Sequence, residues 1–234
     1  MYHLQVGEYR KLVTDCRACT QRPSTQAPTC PVFPAPRFGT GPYKDADLMI
    51  VGQNPPREPE RCLHGAWMIH YPNLAECRGP HELLVLELIE YLGLTPAQVF
   101  ATQAMKCPTP GNSRPEQGNI DHCKSFLAGE IRDVNPKVIL AFGRMARRTV
   151  EMCIPIQYQL TTLPVQKVGE SMESAVQYSD NIIYAPHPSM VDRFLYRESW
   201  FFNIRHAWNA VKDHPRPDTY LETLYRHAHP EDKG

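Results

Sequence analysis

Short apolar runs recur along this chain at intervals that fix its fold class. Leu48-Met49-Ile50-Val51, Lys137-Val138-Ile139-Leu140-Ala141-Phe142 and Asn181-Ile182-Ile183-Tyr184-Ala185 are nearly unbroken, and Val99 to Met105 is a further strand candidate. A run with no polar alternation suits a strand buried on both faces, the usual condition of a parallel sheet. Helical stretches lie between and after them. His81 to Leu92 starts at Pro80 and closes at Gly93, and Pro115 to Val134 ends at Asn135-Pro136. Arg144 to Met152 follows Gly143, and Phe194 to Lys212 comes last. Alternation of this kind predicts an α/β fold with a central, mostly parallel four-stranded sheet flanked by helices on both faces. His3 to Thr14 reads as a short helix. Arg22 to Pro42 and Arg57 to Gly79 read as loop, and residues 154 to 180 show no clear pattern. We expect one domain over residues 1–214 and a tail over 215–234.

Composition narrows the function classes. With 42% apolar and 21% charged residues the chain can bury an ordinary core, which excludes disorder over most of its length. No stretch approaches the ~20 apolar residues that span a bilayer, and Met1 to Arg10 lacks the apolar centre of a signal peptide. The expectation is a cytoplasmic monomer with no membrane partner. A formal net charge of zero neither indicates nor excludes nucleic acid, because binding depends on local potential. In open parallel sheets, sites form beyond the carboxyl ends of strands. The loops after Val51, Met105 and Ala185 are therefore where chemistry is expected.

Eight cysteines in a cytosolic chain point to buried thiols or metal ligands more than to disulfides. Cys16 and Cys19 form a C-x2-C pair, which lets one turn aim two thiolates at one metal. Cys107 follows the second strand and Cys123 lies early in a helix. By ligand count, four thiolates suit zinc and an iron–sulfur cluster equally. Cys107 and Cys123 as plain buried thiols is the structural alternative. Cys62, Cys77 and Cys153 read as structural, and Cys30 is a possible substitute ligand.

These cysteines stand among segments that together resemble the iron–sulfur uracil-DNA glycosylases, often called family 4. Ala46-Asp47-Leu48-Met49-Ile50-Val51-Gly52-Gln53-Asn54-Pro55-Pro56 is similar to the family's first strand and water-activating motif. Lys106-Cys107-Pro108-Thr109-Pro110-Gly111-Asn112-Ser113-Arg114-Pro115 resembles its K-C-x-P-P-G-N-R-x-P run. Pro136 to Gly143 looks like its P-K-V strand, and His187-Pro188-Ser189 like the superfamily's H-P-S motif. The resemblance spans roughly Thr14 to Asn209. It implies a glycosylase that flips uracil or another modified pyrimidine out of DNA and hydrolyses its N-glycosidic bond. It also implies a structural [4Fe–4S] cluster on Cys16, Cys19, Cys107 and Cys123, tying down the N-terminal segment.

The resemblance carries roles residue by residue. His187 is the expected donor to the oxyanion that develops on the departing base, and Asn54 orients the attacking water. Gly52, Gln53, Gln103 and Ser189 are expected in substrate binding, with a stacking aromatic drawn from Trp67, His70 and Tyr71. Lys106, Arg114, Arg193 and Arg197 are expected phosphate contacts, helped by Arg144, Arg147 and Arg148. Met190 and Val191 are candidates for the apolar wedge that fills the gap left by a flipped base. Two departures bear on specificity. The family's G-E-A-P-G reads Gly52-Gln53-Asn54-Pro55-Pro56 here, and an amide cannot take a proton from water. The base-reading Asn of the second strand aligns with Gln103, one methylene longer, which opens the pocket to bases other than plain uracil. Other readings are a catalytically silent DNA-binding member and an unrelated four-cysteine zinc protein. A member that joins covalently to DNA carries a histidine in a basic insertion, which Cys107 to Pro115 lacks.

Overall fold

The computed structural model describes residues 45–54, 80–106, 109, 114–154, 159–165, 174–191 and 195–214. The expected N-terminal helix, both expected loops and the tail lie outside these residues. In chain order the elements are β1 (Leu48–Gly52), α1 (Pro80–Tyr91), β2 (Val99–Gln103) and α2 (Gln117–Val134). Then come β3 (Val138–Phe142), α3 (Gly143–Cys153), β4 (Thr161–Pro164) and β5 (Ala175–Ser179). β6 (Ile182–Ala185) and α4 (Arg197–Val211) complete the set.

The sheet runs β2-β1-β3-β6-β5-β4. Its first four strands are mutually parallel, as the apolar runs predicted. The expected count of four is corrected to six among the described residues: β5 pairs antiparallel with β6, and β4 antiparallel with β5. Both extra strands come from the unpatterned stretch 154–180. They carry no apolar run because they are only half covered: Thr161, Thr162 and Pro164 are exposed, and Val176 is among the few buried positions. Asp180-Asn181 turns β5 into β6, with Asp180 at φ 48°, a left-handed conformation that a short acidic side chain tolerates. Pro164 closes β4, and its carbonyl accepts from Asn203 Nδ2 of α4 at 2.9 Å.

Side chains alternate through the parallel strands, so each strand feeds two cores. Leu48, Ile50, Val99, Leu140 and Ile183 pack under α1 and α4, against Leu84, Leu88, Trp200 and Ile204. Met49, Val51, Phe100, Ile139 and Tyr184 pack under α2 and α3, against Leu127, Ile131, Ala146 and Val150. The expected helices on both faces are present. At its end α2 turns through Asn135, at φ 50°, and Pro136 forbids its continuation. Lys137 N then donates to Ala46 O (2.8 Å) and Val138 N to Asp47 O (3.1 Å), which sets β3 against β1. No helix among the described residues is long and apolar enough to cross a membrane.

Leu140 is fully buried in the middle of β3. Leu140→Ala should cost about 2–5 kcal/mol in urea unfolding, through lost transfer energy and the cavity left behind. Thr162→Ala on the exposed outer strand should stay within about 0.5 kcal/mol of wild type.

Candidate active site

Gly52 and Gln103 end β1 and β2 and face each other in register. The ladder continues past both strands: Ala104 N donates to Gly52 O (2.8 Å) and Met105 N to Gln53 O (2.9 Å). Two loops therefore leave the sheet on fixed backbone. The Gln103 side chain lies directly over Gly52. A β-carbon at position 52 would collide with Gln103 Oε1 and stand 3.0 Å from its Cδ, so a larger residue there would make the Gln103 amide shift. Gln103 is 3% exposed, and among the described residues neither its Oε1 nor its Nε2 has a hydrogen-bond partner. A buried donor and acceptor left unpaired cost about 1–3 kcal/mol each. Next along β1, Gln53 Nε2 donates to Asn54 Oδ1 at 2.8 Å, which fixes the Asn54 amide from one side.

His187 stands two residues past β6 and caps a short 3-10 turn, Pro188–Met190. Its Nδ1 accepts from Ser189 N at 3.1 Å and lies 2.8 Å from Ser189 Oγ. A backbone N–H can only donate, so Nδ1 carries the lone pair and Nε2 the proton. The ring is thus a neutral donor with a defined pointing atom. Burial, and then the nearby His81, push its pKa down from the ordinary 6.5 to about 4. Trp200 Nε1 holds the same loop from below by donating to Pro186 O at 3.1 Å. Gly143, at φ 80°, faces His187: a β-carbon there would sit 3.4 Å from His187 Cβ.

The other expected site residues separate into three groups. Gly52, Gln53, Asn54 and Gln103 meet at the β1–β2 end, while His187 and Ser189 stand together after β6. Arg114, Arg144 and Arg148 are exposed, and Met190 is partly buried against the core of α1 and α4. Lys106 is corrected from a surface cation to a buried one: it is 1% exposed and pairs with Glu130 at 2.6 Å. Val191 is 5% exposed and bridges to Leu195, so it is core and not wedge. Arg197 pairs with Glu87, and Arg147 with Glu151 and Gln177. Trp67, His70, Tyr71, Arg193, Cys16, Cys19 and Cys107 lie outside the described residues.

Cys123 is buried on α2 beside Met105, two residues before Cys107 in the chain. Among the described residues no group of three or more His, Cys, Asp or Glu is gathered around a common point. Cys153 is a structural thiol. It donates to Lys124 O at 3.4 Å, and burial pushes its pKa up to about 12.

Sequence reasoning missed two neighbours of His187. His81, at the start of α1, places its ring 6.3 Å from that of His187, nearly edge-on at 75°. Gly143 was visible as a strand-to-helix turn, but nothing in its spacing announced that His187 would pack on it.

His187 should titrate near 4 when its ring protons are followed by NMR. Its folded pKa lies below the unfolded value, so the unfolded chain binds the extra proton between the two. The stabilisation is therefore complete above about 6.5 and is lost as pH falls toward about 4. A midpoint near 6.5 would show a solvated ring. Gly143→Ala should destabilise by about 1–2 kcal/mol from the backbone conformation alone.

Comparison with known proteins places this geometry in a family. Residues 38–212 match the profile of the Uracil DNA glycosylase superfamily. The chain is 26% identical over 152 residues to the type-4 uracil-DNA glycosylase of Archaeoglobus fulgidus, covering 65% of this chain and 68% of that one. It is 30% identical over 108 residues to the type-4 uracil-DNA glycosylase of Sulfurisphaera tokodaii, covering 46% and 44% respectively. A 52-residue stretch is 38% identical to the type-5 uracil-DNA glycosylase of Pyrobaculum aerophilum, covering 22% of this chain and 23% of that one. The match thus spans less than half the length of the Sulfurisphaera relative. Because the profile runs from before β1 to the last residues around α4, the chain belongs to the uracil-DNA glycosylase superfamily.

Proposed function

We propose that this chain is a DNA glycosylase that flips uracil or another modified pyrimidine out of DNA and hydrolyses its N-glycosidic bond, leaving an abasic site for base-excision repair. The unpartnered amide of Gln103 carries the reading. It offers a donor and an acceptor side by side in a buried position, the complement of a pyrimidine edge that presents O4 and N3–H. An apolar floor at that point would cost less, so the open amide argues for a ligand.

In the proposed reaction the N1–C1′ bond breaks as water adds to C1′, and the base departs with negative charge spread toward O2. His187 donates from Nε2 to that oxygen. Its neutrality matters, because a charged imidazolium would hold the anion strongly but also bind solvent anions before substrate arrives. Asn54 hydrogen-bonds the water and leaves the proton to pass to solvent or the departing base, since an amide cannot keep it. The oxocarbenium-like sugar needs only a weak nucleophile, so orientation suffices. Outside the pocket, Ser189, Arg114 and Arg193 would contact backbone phosphates and Met190 would enter the gap in the stack. Trp67 or Tyr71 would stack on the base.

Cys16, Cys19, Cys107 and Cys123 would hold the [4Fe–4S] cluster, which supplies a structural tie between the N-terminal segment and the β2 loop. Anaerobically purified protein should be brown, with about four irons per chain, and Cys107→Ser should bleach it. A colourless protein with stoichiometric zinc would overturn the cluster.

The catalytic proposal is tested by single-turnover base release with enzyme in excess, paired with binding to an abasic duplex. His187→Ala should slow release by about 10²–10³ with binding nearly intact. Asn54→Ala should slow it by less. Gln103→Asn should raise uracil release relative to bulkier pyrimidines, because it withdraws the amide by about one carbon–carbon bond. Wild-type release from His187→Ala would remove the catalytic assignment.

A further inference from the structure

The buried cation that sequence placed on the DNA surface has another task. We infer that Lys106 and Glu130 form an internal lock that positions the Gln103 amide and the loop leading to Cys107; the inference rests on the glycosylase reading above.

Lys106 is spent entirely inside the protein. Its Nζ donates to Glu130 Oε2 (2.6 Å), Gln103 O (2.7 Å) and Thr102 Oγ1 (2.8 Å), which uses all three of its donors. Thr102 Oγ1 in turn donates to the same Glu130 oxygen at 2.6 Å, closing a ring among the three side chains. Lys106 and Glu130 are both 1% exposed. Burying a charge pair is costly, and apolar residues of similar volume often replace one without loss of stability. The core therefore does not require these charges, and their effect lies in where they hold the backbone.

Two observations say what is held. The bond to Gln103 O pins the peptide unit from which the reading amide hangs. Among the described residues that amide has no hydrogen bond of its own, so the backbone it hangs from and the close approach to Gly52 bear on its position. The lock also joins the β2 loop to α2. Glu130 lies two helical turns beyond Cys123, on one face of that helix, and Met105 packs on Cys123 while Lys106 pairs with Glu130. One face of α2 thus grips consecutive residues of the loop that carries Cys107. Lys106 and Glu130 are positioning residues and touch no reacting atom.

The test uses the full-length, iron-loaded protein with two variants, Glu130→Gln and the apolar pair Lys106→Met with Glu130→Leu. Amide hydrogen exchange is read at Ala104 and Met105 against Leu140 in the sheet. Release of uracil and of a 5-substituted pyrimidine is measured beside it, alone and in a Gln103→Ala background. Both variants should fold and keep Leu140 protected while protection at Ala104 and Met105 drops about ten-fold. The ratio of the two release rates should shift about ten-fold, and that shift should vanish once Gln103 is alanine. Unchanged protection at Ala104 and Met105 would overturn the lock, as would an equal shift in the Gln103→Ala background. Failure of the apolar pair to fold would show that the charges hold up the core, and would overturn it too. If wild type releases no base from either substrate, the glycosylase reading falls, and the exchange measurement alone decides the lock.

Discussion

A strand buried on both faces has a single usable register. Sliding β1 by one residue would carry Leu48 and Ile50 through to the core that holds Met49 and Val51, and every partner would have to follow. β1 is paired on both sides by parallel neighbours, so the constraint reaches β2 and β3 together. The carboxyl ends of the strands therefore converge at fixed heights, and the residues just beyond them inherit those positions. Gly52 against Gln103, and Gly143 against His187, are two outcomes of that convergence: a side chain at 52 would displace the Gln103 amide, and Gly143 holds the positive φ that favours glycine.

Buried polar groups in this molecule follow two different rules. Lys106 has every donor occupied, and Glu130 and Thr102 answer it, so nothing is left to bind. Gln103, three residues earlier, has both amide atoms unanswered. An unanswered amide costs free energy, whereas a closed ring of donors and acceptors holds a shape. His187 stands between the two: Ser189 answers one ring nitrogen and fixes its tautomer, and the other nitrogen remains a donor.

The parallel half of the sheet and its covering helices were legible in the sequence because their signal is local. Val138 to Phe142 is apolar whatever its neighbours are, and Asn135-Pro136 ends α2 by backbone sterics alone. What the sequence hid depends on partners far along the chain. β4 and β5 stay half exposed, so Thr161 and Thr162 show no pattern until Gln177 and Tyr178 are seen across from them. Lys106 shows a charge in the sequence but not the glutamate that absorbs it from α2. The site motifs were readable as segments through their resemblance to a family. The approach of His81 to His187, and of the Gln103 amide to Gly52, exist only once the loops are folded together.

Among the described residues β2 and β4 are the two margins of the sheet, and on β4 an open margin is a template on which another chain can add itself. Pro164 blunts that template at the last residue of the strand. It has no N–H to offer, and its carbonyl is already claimed by Asn203 of α4. A strand arriving from another molecule would lose its footing there, at the end nearest the helix. The ladder to β5 runs on past it, with Val165 N donating to Ser174 O at 3.1 Å, so Pro164 leaves β4 joined to its own sheet while discouraging growth sideways between molecules.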